Sequence, residues 1–256
     1  MDWNEFLRTR SQRIYPMLIA HRGASLHAPE NSLAAFAIAQ AQGADVLETD
    51  LHVTRDGEIV LFHDHTLERM SDGKGPLFAQ SLAELKQWRL RGPDGQLTDE
   101  RIPTLIELLS ATQGEMPILL ELKDWRFVDR RYAERLVHIL THYGVLAKCA
   151  IISFNQALVA AIRQVDPAIR VGTITLVNPI PQAEGMLLGP FWPLLWINPF
   201  YVAWAHRMGR IVAPLDPTPE QRIDRYLSMR VDAIMADDPA AVLAAMRRRV
   251  AERDGR

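Results

Sequence analysis

Apolar runs of strand length alternate with stretches of helical character along almost the whole chain, and four of those runs end in charged residues. Alternation of this kind points to a parallel sheet wrapped by helices. The four endings are Leu18-Ile19-Ala20 into His21-Arg22-Gly23, Val46-Leu47 into Glu48-Thr49-Asp50, Ile59-Val60-Leu61-Phe62 into His63-Asp64, and Ile118-Leu119-Leu120 into Glu121-Leu122-Lys123. A continuous apolar run is the mark of a strand buried on both faces. Uncompensated charge at the end of such a strand is strongly unfavourable, so these positions must serve a purpose.

Traced along the chain, residues 17–20 form a first strand and residues 32–42 a helix with Asn31 as its N-cap. Residues 46–53 and 58–62 are strands joined through Arg55-Asp56-Gly57, whose Asp-Gly pair suits a hairpin. Residues 81–88 and 104–111 are helical, 117–122 a strand, and 130–142 a helix stopped at Gly144. Strands at 149–154 and 170–176 flank a helix at 156–165. The sixth strand falls at 194–199 with a helix at 202–208 after it, followed by strands at 210–215 and 232–236 and a helix from Ala240 to Val250. With the hairpin counted as one unit, this makes eight β/α repeats in 256 residues, the content of a TIM (β/α)8 barrel. An open doubly wound sheet would carry a Gly-rich phosphate turn after its first strand. Here that turn, His21-Arg22-Gly23-Ala24, has one glycine. Residues 64–101, rich in Gly, Asp and Lys, read as a small cap-like insertion after the second strand, so that residues 1–256 form one barrel domain.

The charge balance, 29 basic against 31 acidic residues, contains no basic stretch above background and points away from nucleic acid. A lone cysteine, Cys149, excludes an intramolecular disulfide and a cysteine-rich zinc site, and reads as a small core residue. Residues 1–15 carry Asp2, Glu5, Arg8, Arg10 and Arg13, unlike a secretory signal, so a cytoplasmic location is the expectation. From Gly185 to Ala205 there is no charged side chain, and Trp192, Trp196, Phe200, Tyr201 and Trp204 all fall inside that run. The run is long enough to cross a membrane, but Pro190, Pro193 and Pro199 would break the helix. It reads as a buried loop and strand, the alternative being an apolar lid in peripheral contact with lipid or an acyl chain. Nothing in the sequence sets an oligomeric state.

In a TIM barrel the carboxyl ends of the strands converge on one face, which gathers His21, Glu48, Asp50, His63, Glu121 and Lys123 around a common mouth. Alternation puts Glu48 and Asp50 on the same face of one strand, and Glu121 and Lys123 on the same face of another. Three carboxylates favour a hard divalent cation, Mg²⁺ or Ca²⁺. Together with Arg22 and Lys123 they suit a phosphate group, whose oxygen a metal can polarise. Two histidines can then divide the acid and base work.

These segments resemble the glycerophosphodiester phosphodiesterase family of the bacterial type over residues 19–239. The resemblance rests on an ordered set: His21-Arg22-Gly23, Pro29-Glu30-Asn31-Ser32, Glu48-Thr49-Asp50, Thr54-Arg55-Asp56-Gly57, His63-Asp64, Ile102-Pro103-Thr104-Leu105, Glu121-Leu122-Lys123, Ser153-Phe154 and the run from Asp232 to Pro239. It implies a TIM barrel that hydrolyses glycerophosphodiesters, small-molecule substrates, to glycerol 3-phosphate and an alcohol. It also implies that Glu48, Asp50 and Glu121 hold one divalent cation, that His21 and His63 act as acid and base, and that Arg22 and Lys123 hold the phosphate. His63 is taken as the acid for the leaving alcohol, and Glu30 as a residue that orients Arg22. His27, His138, His142 and His206 read as structural, while His52 and His65 share face parity with site residues. Two departures from the family pattern, Ala213-Pro214-Leu215-Asp216 and the long apolar stretch 177–195, fall where the alcohol half of a substrate would lie. They leave a lysophospholipase D as the alternative activity. A barrel that binds a phosphodiester without cleaving it is a further alternative, although such chains lose a histidine or carboxylate and this one keeps them all.

Overall fold

The computed structural model describes residues 2–254. Eight parallel strands follow one another in the order β10-β9-β8-β7-β6-β2-β1-β11. They are β1 (Met17–Ala20), β2 (Val46–Val53), β6 (Ile118–Leu122), β7 (Cys149–Ser153), β8 (Arg170–Thr175), β9 (Leu187–Pro190), β10 (Ile211–Val212) and β11 (Ala233–Ala236). A short β3 (Ile59–Leu61) pairs antiparallel with the end of β2, and β4 (Arg89–Arg91) pairs with β5 (Leu97–Arg101) in a separate hairpin. The helices are α1 (Trp3–Thr9), α2 (Leu33–Ala41), α3 (Leu82–Leu85), α4 (Leu105–Ala111), α5 (Arg130–His142), α6 (Gln156–Val165), α7 (Leu194–Ile197), α8 (Tyr201–Arg207), α9 (Ile223–Met229) and α10 (Pro239–Asp254). The result is a near-closed (β/α)8 barrel. No helix among the described residues is long and apolar enough to cross a membrane.

Strand alternation sorts the core into an inner and an outer layer. Ile19, Val46, Leu119, Ile152, Ile174, Ile211 and Met235 fill the barrel. Their neighbours Leu47, Leu120 and Ile151 face outward onto Phe36, Leu108, Leu136 and Ile162 of the surrounding helices. Helix α5 shows why those helices dock: its buried residues Ala133, Leu136, Ile139 and Leu140 lie along one stripe. At the amino-terminal foot of the barrel, α1 inserts Trp3 and Phe6, both buried, against the inner layer. Cys149 is buried in the outer layer, where loss of water pushes its thiol up to about 12. Between residues 64 and 101 the chain leaves the barrel and builds its own cluster of Leu67, Leu77, Leu85 and Leu90 against Val60, Phe62 and Ile102.

Three local expectations change. Residues 194–199 do not form a strand: the sixth barrel strand is β9, and Leu194–Ile197 is a helical turn. Pro193 opens that turn, where a missing N–H is no loss. Gly189 marks the true strand, since a Cβ there would stand 2.5 Å from the Ile174 side chain on β8. Asn31 does not cap α2; Ser32 does, accepting a bond from the Ala35 N–H at 3.1 Å. Asn31 instead takes a left-handed conformation, φ 58°, and turns its amide elsewhere. The apolar run 185–205 is buried through β9 and again at Leu194, Leu195, Tyr201, Val202 and Ala205, while Trp196, Ile197, Phe200 and Trp204 emerge to solvent.

The seam between β10 and β11 closes by an unusual device. The Asp232 N–H donates to the Val212 carbonyl at 3.0 Å, and the Val212 N–H donates back to the Asp232 carboxylate at 2.8 Å. The same carboxylate bonds His206 at 2.8 Å. Asp45, directly before β2, repeats the arrangement on Leu18 and is clamped by Arg13. A side chain thus completes the ladder where strands begin, satisfying amides that burial would otherwise leave orphaned. Replacing Asp232 with alanine leaves the Val212 N–H unpaired, and chemical denaturation is expected to show a loss of about 1–3 kcal/mol. Asp232→Asn, which keeps an acceptor, should recover part of it.

Candidate functional site

Residues on β2 and β6 and residues that follow β1, β3, β6 and β11 meet at the carboxyl mouth of the barrel. Parallel pairing sets Asp50 on β2 directly opposite Glu121 on β6, and alternation puts Glu48 on the same inward face. All three carboxylates are buried, and one oxygen from each lies within 4.8 Å of the other two.

Arg22 organises this cluster from two directions. It sits in the left-handed region, φ 57°, and its N–H donates to Glu48 at 2.9 Å. Its guanidinium lies 3.3 Å from Asp50 and 3.1 Å from Glu30. The turn needs Gly23 next, at φ 82°, because a Cβ there would meet the Ala35 backbone at 2.7 Å. Asn31 donates to Asp50 at 2.9 Å and accepts from the Thr49 hydroxyl at 2.7 Å. Lys123 sits 2.5 Å from Glu121 and 3.4 Å from Asp50. These are close ion pairs without hydrogen-bond alignment, since Asp50 Oδ1 and Glu121 Oε1 remain without a hydrogen-bond partner.

Each of two histidines is backed by a carboxylate. His21 Nδ1 lies 2.7 Å from Asp237, the residue after β11, and His63 Nδ1 lies 2.6 Å from Asp64. Burial disfavours the charged form of both. For His21, the bond to Asp237 and the charge of Glu48 outweigh burial, and its pKa rises above the ordinary value. For His63, burial prevails, with Arg22 and Lys123 adding to it against Asp50, and its pKa falls. Arg69, from the excursion, bridges the set by binding Glu30 at 2.6 Å and Asp64 at 2.5 Å.

Charge is unevenly shared among the three acids. Asp50 is buried, yet Arg22 and Lys123 hold it below its ordinary pKa. Glu121 is raised by burial and by Asp50. Glu48 is pushed up to about 8, chiefly by burial and then by Asp50. The cluster therefore lacks positive charge at one point, with oxygen donors already converged. That is the donor chemistry and the electrostatic demand of a hard divalent cation, and Glu48, Asp50 and Glu121 fit one.

All seven sequence-proposed residues, His21, Arg22, Glu48, Asp50, His63, Glu121 and Lys123, come together at this mouth, and Glu30 contacts Arg22 as expected. Asp237, Asp64, Asn31 and Arg69 were not singled out as site residues. Asp237 was recoverable, because it continues the inward parity of Ala233 and Met235. Arg69 had no local signal. His52 serves as a support: it is buried, its Nε2 lies 3.2 Å from the His63 carbonyl, and its Nδ1 lies 3.9 Å from Asp124. Asp124 also accepts from the Val53 N–H at 3.1 Å and from Arg126. Burial would raise the Asp124 pKa, but the nearby His52 ring and the bonds from Arg126 and the Val53 N–H outweigh it and hold the carboxyl well below its usual range.

Residues 21–241 match the model of the glycerophosphoryl diester phosphodiesterase family. A glycerophosphodiester phosphodiesterase of Caldanaerobacter subterraneus subsp. tengcongensis is 30% identical over 241 residues, 91% of this chain and 98% of that protein. A solved Oleispira antarctica phosphodiesterase in complex with the product sn-glycerol-3-phosphate superposes with a TM-score of 0.79 at 29% identity, covering 91% of this chain and 97% of the other. A solved glycerophosphodiester phosphodiesterase of Agrobacterium tumefaciens superposes with a TM-score of 0.77 at 22% identity, over 90% of this chain and all of the other, a likeness of fold.

Two groups, Asp124 and Glu48, test the electrostatics. Because the Asp124 pKa is depressed, its contribution is fully present above the unfolded value near 3.8 and is lost as pH falls through the lower folded value. Asp124→Asn should cost about 2–3 kcal/mol at neutral pH, and the gap in Tm from the unsubstituted protein should narrow below about pH 4. Glu48 has the opposite sign: its folded pKa, about 8, lies above the unfolded 4.5. Stability in a chelator should therefore fall as pH rises toward 8. A divalent cation must displace the Glu48 proton, so titration calorimetry should show proton release on binding below about pH 8 and affinity that rises with pH up to that point.

Proposed function

This chain belongs to the glycerophosphoryl diester phosphodiesterase family, and from that premise we propose that it hydrolyses glycerophosphodiesters to glycerol 3-phosphate and an alcohol with the help of one divalent cation. The observation that carries the reading is the convergence, at one barrel mouth, of a buried carboxylate triangle with two carboxylate-backed histidines. Glu48, Asp50 and Glu121 hold Mg²⁺ or Ca²⁺, which when bound offsets charge on a phosphoryl oxygen. Arg22 and Lys123 bind the remaining phosphate oxygens; Arg22 offers its fork and Lys123 a point charge. On this reading the substrate's own 2-hydroxyl attacks phosphorus as the alcohol leaves, forming a cyclic phosphate that water then opens.

The environments of the two histidines favour a particular division of labour. His21, raised by its bond to Asp237, holds a proton ready for the departing alcohol oxygen. His63, lowered by burial and the nearby cations, is free to take the proton of the attacking hydroxyl. This reverses the assignment drawn from sequence alone, which made His63 the acid. Pairs of titratable groups pushed apart in this way mark the acid and the base. Asp64 and Asp237 fix which ring nitrogen is presented in each case. The excursion 64–101, tied to the site through Arg69, covers the glycerol end of the substrate.

Release of glycerol 3-phosphate from glycerophosphocholine tests the reading. Activity should require Mg²⁺ or Ca²⁺ and disappear in chelator, and His21→Ala and His63→Ala should each lower kcat by about 10²–10⁴-fold. With a p-nitrophenyl leaving group, which departs without a proton, only the His21→Ala loss should shrink. Recovery of His63→Ala instead would restore the original division, and cation-independent turnover would remove the metal role.

A further inference from the structure

One side chain from outside the barrel is joined to a site histidine and to the phosphate-binding arginine at once. Arg69 stands five residues after Asp64, near the start of the excursion. Its Nε lies 2.5 Å from Asp64 Oδ2, while Asp64 Oδ1 lies 2.6 Å from His63 Nδ1. Its Nη1 and Nη2 donate as a fork to the two oxygens of Glu30, at 3.1 and 2.6 Å. Glu30 Oε1 also accepts from Arg22 Nη1 at 3.1 Å, and Arg22 Nε lies 3.3 Å from Asp50. A continuous chain of paired groups therefore runs from His63 through Asp64, Arg69 and Glu30 to Arg22, with one guanidinium at its centre.

The backbone that carries Arg69 is fixed by the core of the excursion. Leu67 is buried in the cluster that includes Val60 and Phe62. Its carbonyl accepts from the Ser71 N–H at 3.0 Å and from the Ser71 hydroxyl at 2.7 Å. Ser71 is itself buried, and its hydroxyl oxygen accepts from the Gly73 N–H at 3.1 Å. Arg69 is the middle of this closed turn, so packing within the excursion sets where the guanidinium reaches. The side chain is about half exposed, and ion pairs in such a setting add little to stability. What Arg69 supplies is geometry. Its planar fork holds two carboxylates at a set separation and angle, which a lysine ammonium does not. Without that hold, Asp64 would be free to turn from His63. Glu30 would be free to place both oxygens on Arg22 and draw it away from a phosphate.

We propose that Arg69 is a positioning residue for phosphodiester hydrolysis: through Asp64 it sets the ring of His63, and through Glu30 it sets the guanidinium of Arg22. The excursion is then a working part of the site as well as its cover. The proposal rests on the hydrolytic reading above. Its two arms act on different quantities. Orientation of His63 governs a proton transfer made in the transition state, and so kcat. Placement of Arg22 governs the hold on phosphate in ground and transition states alike, and so KM.

The test measures kcat and KM for release of glycerol 3-phosphate from glycerophosphocholine by the whole chain with Mg²⁺ or Ca²⁺, and the affinity for glycerol 3-phosphate by titration calorimetry. Asp64→Asn should lower kcat with little change in KM, and Glu30→Gln should chiefly raise KM. Arg69→Ala should do both, with kcat lower by at least about tenfold and KM higher by about three- to tenfold, while Tm stays close to that of the unsubstituted protein. In the Glu30→Gln background, Arg69→Ala should still lower kcat but no longer raise KM, because the second arm is already cut. Arg69→Lys, which keeps the charge and loses the fork, should stay impaired in at least one of the two quantities. Millimolar methylguanidinium should restore activity to Arg69→Ala and not to Asp64→Asn. The proposal is overturned if Arg69→Ala keeps kcat and KM within about twofold, or if its KM effect is as large in the Glu30→Gln background. A loss that tracks a lowered Tm and resists methylguanidinium overturns it in favour of a structural brace. Absence of turnover by the unsubstituted protein overturns the hydrolytic reading instead. Glycerol 3-phosphate affinity then still reads the Glu30 arm, which equal binding by Arg69→Ala overturns and weaker binding sustains.

Discussion

Three carboxylates held out of water within one small volume repel one another, and the architecture of this barrel's mouth follows from containing that repulsion. Burial and mutual charge both oppose ionisation, so each acid needs a specific counterweight. Asp50 receives the most, from Arg22, Lys123 and Asn31. Glu48 receives a single backbone N–H from Arg22. Supplying these contacts holds the chain in two non-glycine left-handed conformations, at Arg22 and Asn31, which cost about 1–3 kcal/mol each and persist because the surrounding contacts impose them. Backbone strain, ion pairs and strand register are thus parts of one arrangement that keeps an oxygen-lined pocket, flanked by Arg22 and Lys123, ready for a cation and a phosphate.

The opposite end of the barrel solves a different problem. There, strands begin rather than end, and Asp45 and Asp232 each lend a carboxylate to a neighbouring strand's amide. Arg13 neutralises the first; Arg10 lies 3.8 Å from the second, which His206 also bonds. These aspartates face cations and ladder amides instead of one another, so their charge binds strands together. Stability at the foot and chemistry at the mouth are built from the same residue types in opposite electrostatic settings.

Much of this was legible in the residues. Eight β/α repeats could be counted because buried parallel strands leave continuous apolar runs, and Glu48, Asp50, Glu121 and Lys123 stood out because charge interrupts those runs at a fixed parity. The sixth strand was misplaced because Leu187-Leu188-Gly189-Pro190 is short and ends in residues that usually signal turns, whereas the more apolar segment after it looked the better strand. Asn31 resembled a helix cap because its role depends on Asp50 and Thr49, distant in sequence. Arg69 lay beyond reach for the same reason: a long side chain bridging Glu30 and Asp64 leaves no periodic trace. Local pattern finds what local geometry dictates, while contacts between separate loops appear only once the strands have brought them together.

The family likeness starts at residue 21, yet the inner layer of the barrel is completed by residues that precede it. Trp3 and Phe6 pack beneath Ile19, Val46 and Leu119, and Arg13 fastens Asp45. A shorter version of the chain cut at the start of the recognisable motifs would retain every side chain at the mouth and still expose the bottom of its core to water. For this protein, the unit that carries the chemistry and the unit that folds have different beginnings.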